Sequence, residues 1–215
     1  MEKAFKFYTR LNLTELLGRK ARTVRELLDG VYHVSASSIY YHTHRFLQQH
    51  HYLSPEPPND FAFWVTNSLG LDKLGERLAC VDTVKFRSIR ELREKFTQIL
   101  ESYLKEESNR DVESPEGEEF HFMSCRTFIF PTQYRANDLN EFLEVFQKIS
   151  VNSIYFHIFE ARLRLEKEEN DFSNWFKDMG MEDLAHAVSK LDPYTITLEG
   201  LRQKIIQLVK KNVKN

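Results

Sequence analysis

Residues 24–42 read VRELLDGVYHVSASSIYYH, and residues 139–157 read LNEFLEVFQKISVNSIYFH. At this offset of 115, seven of 19 positions are identical: Glu26/Glu141, Leu28/Leu143, Ser35/Ser150, Ser38/Ser153, Ile39/Ile154, Tyr40/Tyr155 and His42/His157. Chance is a poor source of such a match, and the match extends both ways. Upstream, Phe5-Lys6-Phe7 aligns with Phe120-His121-Phe122. Downstream, Asn59-Asp60-Phe61 and Trp64 align with Asn170-Asp171-Phe172 and Trp175 at offset 111, and Leu92-Arg93 aligns with Leu201-Arg202 at offset 109. Self-similarity at a nearly fixed offset marks a repeated structural unit, so the chain reads as a tandem duplication of a unit of about 100 residues.

The join is legible in the charges. Residues 106–119, EESNRDVESPEGEE, hold seven acids and one base, with Val112 the one large apolar residue. Such a stretch reads as a solvated linker. The expected organisation is a first repeat over residues 1–105, an acidic linker over 106–119 and a second repeat over 120–215. Within each repeat, apolar residues recur at helical spacing, as at Val24, Leu27, Leu28 and Val31, behind plausible caps such as Thr23 and Asn59. Each repeat opens on a short alternating segment, AFKFYT or EFHFMS, which favours a strand. The expected fold class is mainly α: two helical bundles of about five helices each, with a short Phe-rich strand opening each unit.

Composition narrows the function classes. Thirty basic and 32 acidic residues give a net charge of −2, which disfavours a globally basic nucleic-acid binder. Two cysteines, Cys80 and Cys125, cannot make a disulfide framework and suggest a reducing compartment. The opening MEKAFKFYTR has no apolar signal core, and no apolar run approaches the roughly 20 residues that span a bilayer. The expectation is a soluble, cytoplasmic protein without membrane contact. GxxxxGK[ST], GxGxxG after a strand, GxSxG and CxxC are all missing from the sequence.

The segments SSIYYHTHRFLQQH and LSPEPPNDFAFWV in the first half, SIYFHIFEARLR and NDFSNW in the second, and LDPYTITLEGLR near the end carry a resemblance over nearly the whole chain. The sequence resembles an uncharacterised family of bacterial and archaeal proteins of unknown function. The pattern of a helical His followed by Asn-Asp-Phe-x-x-Trp is similar to a small helical module of other prokaryotic proteins. The resemblance implies the fold unit and brings no activity with it.

The duplicated polar residues are the first candidates for chemistry: Ser38, Tyr40, His42, Asn59 and Asp60, with Ser153, Tyr155, His157, Asn170 and Asp171. A His beside a carboxylate can do general acid–base work, since the carboxylate fixes the tautomer and orients the ring. The competing reading is a structural clasp within each repeat, completed by Trp64 and Trp175 as core anchors. His42 shares a helix face with Ile39 and Phe46, so its ring nitrogens need partners inside the protein; Asp60 or Ser38 could supply one. The clasp reading is preferred, because a pattern kept in both repeats fits a folding requirement.

The first repeat also carries His44, His50 and His51. A metal site built from this helix alone is disfavoured, because no pair among positions 42, 44, 50 and 51 has the i, i+3 or i, i+4 spacing that two helical ligands use. A ligand site would have to combine His44, His50 and His51 with Glu56 or Asp60, beside the Pro-stiffened LSPEPPND insertion. No cofactor and no metal is expected. The sequence favours a non-catalytic binding or regulatory module acting through protein–protein interaction, with homo-oligomers through the Phe-rich strands as an open option. Its rival is an enzyme, or a small-molecule or metal-binding protein, with a His/carboxylate site in the first repeat.

Overall fold

A computed structural model of the chain describes residues 4–49, 58–106, 112–161, 169–191 and 196–213. Strand β1 (Phe5–Ala21) is followed by helices α1 (Val24–His33), α2 (Ala36–Gln49), α3 (Asp60–Asn67), α4 (Asp72–Ala79) and α5 (Ile89–Glu106), with a 3-10 turn at Thr83–Lys85. Strand β2 (Phe120–Ala136) opens a second series: α6 (Leu139–Phe146), α7 (Val151–Tyr155), α8 (Asp171–Asp178), α9 (Glu182–Ser189) and α10 (Leu198–Val213). Helix α7 widens directly into a π-helical turn at Phe156–Glu160.

The strands correct the expected fold class. A mainly α chain with one short strand per unit gives way, among the described residues, to ten helices plus a two-stranded antiparallel sheet, each strand 17 residues long. The alternating segments are only the first third of each strand. In β1, the adjacent Leu16 and Leu17 break the alternation, and Gly18 sits at φ 72, in the left-handed region that a regular strand excludes. Their extended state comes from pairing with β2, more than 100 residues away in the sequence, which local periodicity does not register.

The described residues group into two compact units, and the grouping crosses the order of the chain. One unit holds α1–α5 together with residues 12–21 of β1 and 120–126 of β2; the other holds α6–α10 together with residues 4–11 of β1 and 127–136 of β2. Each helical set is therefore completed by the first turn of pleat from the other half of the sequence. In the first unit, Phe120 and Phe122 join Leu27, Val31, Phe61 and Phe96 in one core. In the second, Phe5 and Phe7 lie against Phe142 and Phe172.

The helix ends repeat the same devices. The Thr23 side chain accepts the Glu26 N–H, while Glu26 Oε2 accepts the Arg22 N–H at 2.7 Å. At α6, Asp138 takes the N–H of Asn140 and Glu141, and Glu141 Oε2 accepts the Asn137 N–H at 2.7 Å. These reciprocal bonds satisfy N–H groups that the helix leaves open, which accounts for the Glu26/Glu141 identity. At the C-terminal ends, Arg93 donates to the carbonyls of Tyr32 and Val34, and Arg202 donates to that of Phe146. A cation there suits both the open carbonyls and the dipole.

Gly30, on the buried face of α1, marks where β2 enters. A Cβ built on it would lie 2.0 Å from Cζ of Phe122. Gly30→Ala should therefore push the strand end out of its seat and lower stability by about 1–3 kcal/mol, measured by urea unfolding. A protease site placed between Glu106 and Val112 gives a topological check. After cleavage the two fragments should still elute together under native conditions and separate only in denaturant, because each carries the other's strand end. Separation in native buffer would contradict the exchange.

Candidate functional site

Two His–Asp pairs dominate the polar interior. In the first unit, His42 lies midway along α2 and is almost fully buried. Its Nδ1 is 2.8 Å from Asp60 Oδ2, and its Nε2 accepts the backbone N–H of Met123 in β2 at 2.9 Å. A backbone N–H can only donate, so Nε2 carries the lone pair and Nδ1 carries the proton given to Asp60. In the second unit, His157 sits in the π turn after α7. Its Nδ1 is 2.8 Å from Asp171 Oδ2, and its Nε2 accepts the N–H of Tyr8 in β1 at 2.8 Å. The same ring state follows. Both rings are walled by aromatics: Phe61, Phe120 and Phe122 around His42, and Phe5, Phe7 and Phe172 around His157.

The aspartates are positioned by their neighbours. Asn59 caps α3 through the Ala62 N–H and also donates to the Leu78 carbonyl, which sets Asp60 at the first helical position. Asn170 also sets Asp171 at the first helical position, through a reciprocal capping box with Ser173, while its own Nδ2 is buried without a hydrogen-bond partner. The side chain of Asp171 is only 19% exposed, against 48% for Asp60. Ser153 donates to the Tyr8 carbonyl at 2.6 Å, holding β1 by a second bond beside the His157 one. Its counterpart Ser38 is fully buried, and its hydroxyl has no such bond. Trp64 donates to the Glu118 carbonyl at 2.6 Å, just ahead of β2, and Trp175 packs edge-on to Phe5.

Tyr40 and Tyr155 diverge. Tyr40 stacks on His44, whose Nδ1 is 2.8 Å from the Thr43 hydroxyl, so His44 is an interior residue and not an open ligand. Tyr155 instead lies 4.3 Å beneath the guanidinium of Arg10, which is buried and ion-paired with Glu160. Among the ligand candidates of the first repeat, Asp60 faces His42 and His44 is enclosed. His50, His51 and Glu56 lie outside the described residues. The described residues contain no group of three or more metal-ligating side chains.

Each unit also carries a shallow hollow. One, of about 600 Å³, lies in the second unit beside the His157–Asp171 pair and is lined by Lys6, Tyr8, Asn174 and Asp178. The other, of about 730 Å³, lies in the first unit between α4 and α5, with Lys73, Arg77 and Lys95 on its rim. There the hydrogen bonds from Arg77 hold the Glu106 carboxyl below the usual carboxylate range. Sequence reasoning missed Arg93, Arg202 and Arg10. The Leu92-Arg93/Leu201-Arg202 match was a usable signal for the first two, whereas Arg10 has Cys125 at its matched position and left none.

OrfY from Thermoproteus tenax superposes with a TM-score of 0.82 at 24% sequence identity, over 100% of this chain and 97% of that one. That likeness shows the fold. No curated protein matches the chain. A family model described as a family of unknown function (DUF5752) matches residues 2–210. No helix of the described residues is long and apolar enough to cross a membrane.

Removing a ring orphans a strand N–H and an aspartate together. His42→Ala and His157→Ala should each lower stability by about 1–3 kcal/mol. Asp171→Ala should cost more than Asp60→Ala, since at the less exposed site water reaches the His Nδ1–H left without its acceptor less easily. Chemical unfolding of the four variants checks the order; equal losses at the two aspartates would contradict the burial argument.

Proposed function

We propose that this chain, which belongs to the family of unknown function DUF5752, is a non-catalytic binding or regulatory module that acts by protein–protein interaction. The observation that carries this reading is the use to which both His–Asp pairs are put. A general base needs a ring nitrogen within reach of a substrate proton. In both units one nitrogen is taken by aspartate and the other by the backbone of an inserted strand. The pairs fasten strands, and no nitrogen is left to accept a substrate proton. The residues Ser38, Tyr40, His42, Asn59, Asp60 and Trp64, with Ser153, Tyr155, His157, Asn170, Asp171 and Trp175, then read as the fastening and its setting, kept from a duplicated ancestral unit.

Exposed apolar surface supports contact with protein. Large apolar side chains are exposed along the middle of both strands, at Leu11, Leu13, Leu16 and Leu17 in β1 and at Phe128, Ile129 and Phe130 in β2. Apolar patches of this kind mark interaction surfaces. The rival site in the first repeat is weakened by the enclosure of His44 and the engagement of Asp60.

Cross-linked purification from native lysate provides the test. A second protein should be recovered in fixed proportion to the chain, and metabolite mixtures should leave its thermal midpoint unmoved. A metabolite that raises the midpoint, with no protein recovered, would favour the small-molecule rival.

A further inference from the structure

The second unit gathers polar side chains that its fold does not use at one hollow. This hollow of about 600 Å³, beside the His157–Asp171 pair, has Lys6 and Tyr8 of β1 in its lining, together with Asp171, Asn174, Trp175 and Asp178 of α8. The four α8 positions follow the i, i+3, i+4, i+7 spacing of one helix face. The Lys6 ammonium, the Tyr8 hydroxyl, the Asn174 amide and the Asp178 carboxylate make no hydrogen bond or ion pair with another described residue.

The first repeat shows that the clasp does without them. At the matching positions it has His121, Met123, Phe63 and Asn67. His42 nevertheless keeps the same bonds, to Asp60 and to the Met123 N–H. Asn67 turns back on the Phe63 carbonyl at 2.8 Å, and Phe63 is 45% exposed. A polar wall that one copy has and the other lacks, over the same fastening, is not a folding requirement.

We infer that this hollow receives an arginine side chain from a segment of a partner protein. The inference rests on the protein-contact reading above and names the chemistry of the partner. Charge sets the sign. Asp171 and Asp178 stand against Lys6 alone, since the two bonds of the His157 ring fix its neutral tautomer. Lys6 is exposed, so its ammonium can turn to water along an apolar stem. Shape chooses arginine over lysine. A planar guanidinium packs on an aromatic ring while its fork reaches carboxylate and amide oxygens, and Trp175, Asn174 and Asp178 share one helix face. Depth chooses a chain segment over a free small molecule. A small-molecule pocket encloses roughly 70–90% of its ligand, whereas a shallow hollow admits a side chain whose backbone stays outside.

Two-dimensional NMR of the full chain, titrated with the blocked tripeptide acetyl-Ala-Arg-Ala-amide, tests this. The expected result is a saturable shift of the Trp175 indole N–H and the Tyr8 amide. The Trp64 indole and the Met123 amide, their counterparts in the first unit, should stay still. The matching lysine peptide should bind more weakly, and the glutamate peptide should shift nothing. Asn174→Phe combined with Asp178→Asn gives the second repeat the first repeat's residues here, and should abolish the response while the unfolding midpoint is kept. Should that variant fail to fold, Asp178→Asn alone, at an exposed position, replaces it and should weaken the response. Shifts that neither substitution changes, or an equal response to the lysine or glutamate peptide, overturn the assignment. So does free arginine binding more tightly than the tripeptide, which would make the hollow a small-molecule site. No response at millimolar peptide overturns the inference and leaves recovery of a partner from lysate as the separate test of the protein-contact reading.

Discussion

A buried imidazole that gives its proton to an aspartate and takes the N–H of a strand joins three elements at one point. The strand can keep its place only if the ring is held, and the ring is held only if the helix bearing the aspartate is capped where it is. Asn59 and Asn170 set those caps. The aromatic packing follows from the same point. Phe120 and Phe5 each lie under 5 Å from the ring that grips their strand. Without the inserted strand, each helical set would expose the phenylalanine slots that make its core, so hydrophobic burial and the polar bond act in the same direction.

The two seats are similar enough to raise a problem of sorting. Each receives Phe-x-Phe, and either strand end has the side chains to fill either seat. Arg10 distinguishes them. In its own seat it is ion-paired with Glu160 and covered by Tyr155. The sequence position matching Glu160 in the first repeat is Arg45. Delivering Arg10 there would set a buried cation without its carboxylate partner, among the more expensive errors a fold can make. Cys125, at the position matching Arg10, is neutral and lies within reach of the Ser37 carbonyl. Divergence between the repeats here works as discrimination against the wrong insertion.

Caps and helix faces depend on residues within a few positions of one another, so Thr23, Asn59 and Asn170 could be placed from local spacing. The His–Asp pairing was available because repetition singled out both residues. Strand length was not, because Leu13 to Leu17 has no alternation of its own and becomes extended only through β2. Nor was the exchange of strand ends. Two repeats that each keep their own strand, or trade it, have the same sequence signature, and only spatial pairing tells them apart. The enclosure of His44 depended on Tyr40 stacking at one helical turn, a contact that competes on equal terms with an outward rotamer.

The exchanged strands also bear on how the protein is made. On the ribosome, residues 4–11 emerge first, yet their seat is finished only when α10 has been synthesised, about 200 residues later. At about 5–20 residues per second that delay is roughly 10–40 s. The first helical set fares little better, since it needs Phe120 and Phe122 from beyond its own last helix. Neither half can close during its own synthesis, so the nascent chain must carry unburied phenylalanines through most of its translation. Such exposed surface is the kind that chaperones shield during synthesis.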